Sequence, residues 1–145
     1  MMKKIIKIGG KEPQLYLAVA PLIMNAYILR QNNNYPFKTS ASYVWFVLYE
    51  SNQVIAFMPV EHRDTGFKID NYYASPSPRM REEHLKMLLQ EVISSFGLQA
   101  IYNATVHIRD KGVFASCGFT VLRELKHYVR MSLKHSKTTN NEKKP

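Results

Sequence analysis

One stretch limits the folds open to this chain more than any other: Phe67–Leu88, FKIDNYYASPSPRMREEHLKML. An extended apolar run from Phe67 to Ala74 meets the turn Ser75-Pro76-Ser77-Pro78, and an amphipathic helix starts directly behind it. Ser77 suits the cap of that helix and Pro78 its first position. Leu85, Leu88, Leu89, Val92, Ile93 and Phe96 recur at helical spacing as one apolar face, and Gly97 is placed to end it. A strand that feeds a helix leaves the first helical amides unpaired at the positive end of the dipole, which suits a phosphate-bearing ligand. The turn contains no glycine, however, and Glu82 and Glu83 stand in the region a phosphate would occupy.

The flanking sequence places this unit in a sheet. Tyr43 to Tyr49, YVWFVLY, is aromatic and β-branched, and Val54 to Val60 returns after the turn Ser51-Asn52-Gln53. Pro59 predicts an edge or a bulge near the end of that second strand. Asp64-Thr65-Gly66 turns the chain into Phe67–Ala74, so three consecutive strands form an antiparallel meander. Ahead of the meander, Lys3 to Ile8 reads as a strand stopped by Gly9-Gly10. Leu15, Val19, Leu22, Ile23, Ala26 and Tyr27 then mark a helical stretch from Pro13 to about Arg30. Pro21 predicts a kink there or two short helices, and Asn32 to Pro36 is a loop. Behind the long helix, Ala100 to His107 is a strand expected parallel to Phe67–Ala74 through a right-handed crossover. A short helix from Arg109 to Ser116 is closed by Cys117-Gly118-Phe119, and Thr120 to Leu133 ends in a strand, HYVRMSL. The class is α/β in the α+β sense: a mixed, mostly antiparallel central sheet flanked by helices, in the order β-α(α)-β-β-β-α-β-α-β.

A chain of 145 residues with 46% hydrophobic and 21% charged residues supports one globular core. Residues 1–133 read as a single domain, and 134–145, with Lys134, Lys137, Lys143 and Lys144, as a basic polar tail expected to be disordered. The lone Cys117 excludes an intrachain disulfide framework and a multi-cysteine zinc site. The five histidines show no metal-ligand spacing, and neither a P-loop nor a dinucleotide glycine fingerprint is present. No apolar run approaches a membrane span and the N-terminus has no signal-peptide h-region, so the expectation is a cytoplasmic protein without a membrane partner. The net charge of +9 admits nucleic acid, anionic cofactors or acidic proteins as partners; a solvated basic surface is the simpler reading.

The element order, with a C-terminal Gly118-Phe119 and a strand carrying Tyr128 and Met131, resembles the GCN5-related N-acetyltransferase (GNAT) superfamily. Ala74-Ser75-Pro76-Ser77-Pro78-Arg79 looks like the V-x-P-x-x-R entry to that family's cofactor loop, with Met87-Leu88 in place of the paired leucines. His107 through Phe119, HIRDKGVFASCGF, looks like N-x-x-A-x-x-x-Y-x-x-x-G-F. The resemblance covers roughly Lys3 to Leu133. It implies acetyl-coenzyme A as cosubstrate, an amine as acceptor, either a small molecule or a peptide, and often a paired, homodimeric arrangement. It also implies cofactor contacts from the backbone of Tyr73 and Ala74, from Arg79 and Arg81, from the amides around Glu82, Glu83 and His84, and from Phe114. Both small positions of the family's Q/R-x-x-G-x-G/A loop are lost, to Glu82 and His84. Phe114 replaces the general-acid tyrosine, and His107 replaces the asparagine.

Direct attack of an amine on a thioester needs a bound cofactor, an acceptor for the amine proton and a proton for the thiolate. Glu61, Asp70 and His107 are the candidate bases, each weighed against an ordinary role: exposed strand carboxylates paired with Arg63 or Lys68, and a surface histidine. Tyr102 is a candidate acid in place of Phe114. His84 reads as solvated, and Cys117 as a buried, inert thiol. The leading expectation is an acetyl-coenzyme A-dependent N-acyltransferase on an unidentified amine. The rivals are a catalytically idle binding module of the same fold and, from charge alone, a nucleic-acid-associated protein.

Overall fold

The computed structural model describes residues 2–32 and 37–134. The tail from residue 135 onward and most of the Asn32–Pro36 loop lie outside the described residues. Seven strands form one sheet in the order β1-β2-β3-β4-β5-β7-β6. They are β1 (Lys3–Gly9), β2 (Tyr43–Glu50), β3 (Gln53–Arg63), β4 (Gly66–Ile69), β5 (Ile101–His107), β6 (Thr120–Glu124) and β7 (Tyr128–Lys134). Only β4 and β5 run parallel, Phe67 opposite Tyr102 and Ile69 opposite Ala104, as the crossover requires. The C-terminal segment expected as one strand is a hairpin, β6 and β7; β6 forms the sheet edge and all five of its residues are exposed.

The helices are α1 (Pro13–Ile23), α2 (Ala26–Gln31), α3 (Pro78–Phe96) and α4 (Lys111–Ser116), the last entered through a 3-10 turn, Ile108–Asp110. The N-terminal helical stretch divides in two, yet the break falls at Met24-Asn25 rather than at Pro21, which α1 accommodates. Asn25 starts α2 by accepting hydrogen bonds from the amides of Tyr27 (2.8 Å) and Ile28 (3.2 Å). On α3, Leu85, Leu88, Leu89 and Val92 are fully buried against Phe46, Leu48, Met58 and Ile69. Each such side chain stabilises the fold by about 1.5–3 kcal/mol relative to exposure. The paired buried leucines of this helix are therefore Leu88 and Leu89, one residue on from Met87-Leu88, since Met87 is only partly buried. Leu15 and Val19 of α1 cover the opposite face, over Ile8, Trp45, Val47 and Phe57.

The β2–β3 turn is two residues long, and Ser51 and Asn52 both have positive φ (51° and 70°). That is the turn geometry whose twist matches the strands it joins. The irregularity signalled by Pro59 lies in the neighbouring strand. Val60 pairs with Ile69, but Phe57 pairs with Tyr73, so residues 70–72 of one chain segment oppose only 58–59 of the other. Asn71 absorbs the extra residue at φ 54°. The Phe57 amide donates to the Tyr73 carbonyl at 2.9 Å, so the backbone edge of Pro59, two residues on, faces the same strand, and Pro59 has no N–H to offer it. The bulge sits where that donor is missing. The strand expected to run unbroken from Phe67 to Ala74 thus ends at Ile69, and the chain beyond leans toward β3 and away from β5.

Candidate functional site

The bulge opens the sheet between β4 and β5. Pairing between them stops at Ile69 and Ala104, while β5 continues to His107 beside β7. The edge of Tyr72 and Ala74 that faces β5 has no strand partner among the described residues. The extra residue also sets the facing of the side chains: Tyr72 enters the core under α3 and α4, and Tyr73 points to the α1 side, against Phe57.

A buried polar network spans the opening. Asp110 accepts from Arg81 Nε at 2.7 Å on one oxygen, and from Arg81 Nη2 (2.9 Å) and the Tyr72 hydroxyl (2.6 Å) on the other. Arg81 Nη1 donates to the Ala74 carbonyl at 2.8 Å, and the Tyr72 oxygen accepts from the His107 amide at 3.0 Å. Three chain segments are thereby tied together: the end of the bulged strand, the first turns of α3 and the β5–α4 junction. Tyr72, Arg81, His107 and Asp110 are all buried. Burial opposes the Arg81 charge, but the hydrogen bonds and charge of Asp110 outweigh it and raise the guanidinium pKa. Burial, then the Asp110 charge, holds the Tyr72 phenol well above its ordinary pKa. Burial first, and the Arg109 charge second, push the His107 imidazole down to about 4. At neutral pH it is uncharged and a weak base, unlike the near-neutral histidine expected from the sequence.

Several site expectations change once the side chains are placed. Arg81 is engaged by Asp110 rather than by phosphate, because it heads the buried stripe Arg81, Leu85, Leu88 and a buried cation requires a carboxylate. Helix α3 already begins at Pro78, and the Arg81 amide donates to the Ser77 carbonyl at 2.8 Å. The amides of Glu82, Glu83 and His84 therefore belong to the helical ladder, and the open ones are those of Arg79 and Met80. Glu82 pairs with Lys86 (3.3 Å) and Glu83 with Lys3 of β1 (3.1 Å), a turn away from the positive helix end. His84 is not solvated: it is 1% exposed on the sheet side of α3, its Nδ1 has no partner among the described residues, and burial lowers its pKa. Phe114 is fully buried between Tyr72 and Phe119, so it supports the site from beneath rather than contacting a ligand. The Tyr102 hydroxyl donates to the Gly97 carbonyl at 2.7 Å, at the end of β5 far from His107, and takes no part in the site.

Glu61 and Asp70 lie together near Tyr43, whose phenol pKa is raised by burial and then by these two carboxylates. Glu61 pairs with Arg63 at 2.9 Å and Asp70 with Lys68 at 3.6 Å, and neither lines the opening. The opening is a narrow cleft lined by Gln31, Asn32, Tyr73, His107 and Arg109, with Phe37 and Ile28 on the helical side. Asn32 ties it to the bulge by donating to Asn71 Oδ1 at 3.1 Å. Asp110 and Arg109 enter the site only through the structure, and Tyr72, a core aromatic by its strand position, gains a polar role there. The helical spacing that puts Arg81 on the apolar face of α3 was the available signal that a carboxylate partner existed. Cys117 is half-buried with its thiol pKa raised by burial, as an inert thiol should be. No group of three metal-ligating side chains occurs among the described residues, and no described helix is long and apolar enough to cross a membrane.

No protein-family sequence model matches the chain, and no curated protein matches it in sequence. Its structure is another matter. Escherichia coli ElaA superposes with a TM-score of 0.70 at 12% identity, over 92% of this chain and 100% of that one. The ribosomal-protein-S18-alanine N-acetyltransferase of Escherichia coli gives 0.69 at 16% identity, over 93% and 95%. Campylobacter jejuni N-acetyltransferase PseH, solved in complex with acetyl coenzyme A, gives 0.56 at 15% identity, over 93% and 100%. The fold is that of the GNAT acetyltransferases, the fold that the sequence resemblance implied.

Proposed function

We propose that this protein is an acyl-coenzyme A-dependent N-acyltransferase whose acceptor is an amine. The observation that carries the reading is the parted pair β4 and β5. A strand edge at Tyr72–Ala74, which has no strand partner among the described residues although its Ala74 carbonyl accepts from Arg81, runs directly into the open amides of Arg79 and Met80 at the start of α3. A strand edge suits the amide-rich pantetheine arm, and a helix start with an adjacent arginine suits its pyrophosphate. Arg79 and the Arg79–Met80 amides would hold the phosphates, and the Tyr72–Ala74 edge the arm. The bound molecule would supply an acyl thioester, a carbonyl carbon open to attack.

The remaining chemistry falls to the chain's own groups. The amine must be neutral to attack, and His107, with a pKa near 4, cannot hold its proton at neutral pH. Arg109 beside it, the lining cation that no carboxylate balances among the described residues, disfavours an ammonium by like charge, so the proton leaves for solvent. As the new C–N bond forms, the attacking nitrogen sheds its second proton to solvent, and as the C–S bond breaks, the thiolate needs a proton, which the donor later regains from solvent. Tyr73 is the phenol lining the cleft outside the buried network, and burial, only partly offset by Arg81, raises its pKa so that it carries its proton at neutral pH. Tyr72 is unsuited to that role because its proton is held by Asp110.

The free space in the cleft is about 10 Å³, close to one water molecule. Binding therefore requires the lining side chains to move apart, and a near-ultraviolet circular dichroism change from Tyr73 should accompany it. The deciding experiment is calorimetric titration with coenzyme A and acetyl-coenzyme A. Micromolar affinity that falls at least tenfold in Arg79→Ala supports the reading. Absence of binding up to millimolar ligand overturns it and leaves a GNAT fold put to another use.

A further inference from the structure

The charges around the cleft do not balance. Arg81, His107 and Arg109 are the titratable lining groups besides the tyrosines. His107 is neutral at physiological pH. Arg81 is balanced by Asp110, both of whose oxygens are occupied, one by Arg81 Nε and the other by Arg81 Nη2 and Tyr72. Arg109 is exposed at the mouth and makes no ion pair among the described residues. The 3-10 turn that carries it, Ile108–Asp110, is anchored from below by the buried Asp110, which fixes the backbone from which the guanidinium projects. Gln31 and Asn32, at the end of α2, add neutral amides to the same wall. We propose that the acceptor is a small amine bearing its own anionic group, a carboxylate or a phosphate, and that Arg109 pairs with that group and so selects the substrate.

Partial desolvation where Arg109 joins the cleft, and then the charge of Arg81 offset in part by Asp110, make Arg109 less avid for its proton, a cost that an incoming anion would relieve. A planar guanidinium offers two parallel donors to a carboxylate or phosphate, which orients the amine as well as holding it. An acceptor with extra positive charge would meet Arg109 with nothing to offset it. The amine nitrogen, close to the anionic group in a molecule of this kind, would face the parted strands while the anion stays at the mouth.

This inference rests on the acyltransferase reading, and the test separates the two. Coenzyme A binding is measured first, by calorimetry, for the wild type and for Arg109→Gln and Arg109→Lys. Acetyl transfer is then followed by thiol release with glycine, β-alanine, glutamate and O-phosphoethanolamine, against ethanolamine, tyramine and spermidine. The expected result is a kcat/KM at least tenfold higher for the anion-bearing amines. That preference should collapse in Arg109→Gln through KM, persist in part in Arg109→Lys, and leave coenzyme A affinity within twofold. Preference for spermidine or tyramine, or transfer to none of the amines by a protein that binds coenzyme A, overturns the inference and leaves the acyltransferase reading standing. Weaker coenzyme A binding in Arg109→Gln would also overturn it, by making Arg109 a phosphate contact of the cosubstrate. A wild type that binds no coenzyme A overturns the acyltransferase reading, and this inference with it.

Discussion

Replacing Asp110 by alanine should be among the most damaging single changes in this protein. The carboxylate is 1% exposed and accepts three hydrogen bonds, two from Arg81 and one from Tyr72. Removing it leaves a guanidinium that is 5% exposed with only carbonyl partners, and a buried phenol without an acceptor. Breaking a buried pair by deleting one partner costs about 3–5 kcal/mol, and an orphaned buried hydroxyl about 1–3 kcal/mol. The two share one network, so they do not simply add, and about 4 kcal/mol is the expectation. For 145 residues the unfolding entropy is of order 0.3 kcal/mol/K, so that loss lowers Tm by roughly 13 °C. Urea unfolding monitored by circular dichroism measures it directly. Asp110→Asn should be nearly as harmful, since it keeps an acceptor for Tyr72 but leaves the Arg81 charge uncompensated. The double variant Arg81→Met with Asp110→Leu should recover most of the loss, because it removes both charges together. If Asp110→Ala costs less than about 1 kcal/mol, or the double variant is as unstable as the two single losses combined, the network does not hold the opening together.

Two further outcomes follow from placed residues. The His107 imidazole has a folded pKa near 4 against about 6.5 when unfolded, so the unfolded chain binds the extra proton first. Its contribution is fully present above pH 6.5 and is lost as pH falls toward 4, by about 3 kcal/mol over that window. His84 shifts in the same direction; urea midpoints between pH 7 and 4 should fall less steeply in His107→Asn, and an unchanged slope would contradict the burial argument. Glu82→Gly removes only an exposed pair with Lys86 and introduces a helix-interior glycine. It should cost about 1 kcal/mol in stability and leave coenzyme A affinity unchanged, whereas a tighter complex would show that this carboxylate does obstruct the phosphates.

The sequence by itself determined the order of elements as far as α4, the antiparallel meander, the parallel crossover and the buried face of α3, and left the β6–β7 hairpin as one strand. These depend on local periodicity, which two-residue and 3.6-residue repeats record directly. Positions 85, 88, 89 and 92 were legible for that reason. Pro59 likewise announced an irregularity, but around Pro59 its own strand keeps register with β2, from Val44↔Val60 to Leu48↔Ala56; the extra residue went into the neighbour, at Asn71, because a hydrogen-bond ladder joins two segments and either can yield. Only the tertiary structure decided which carboxylate meets Arg81, since Asp110 lies 29 residues away and nothing local links them. It also decided that His84 and His107 are buried, with their proton affinity lowered, because proton affinity follows desolvation and neighbouring charge, not residue type. The stretch Arg79–His84 is helical, as Ser77 and Pro78 signalled, but that Glu83 turns to Lys3 and Glu82 to Lys86 came from the packed structure. Which partner a helix carboxylate meets depends on the strand laid beside that helix, as β1 brings Lys3 to Glu83, and that neighbourhood exists only once the sheet has formed.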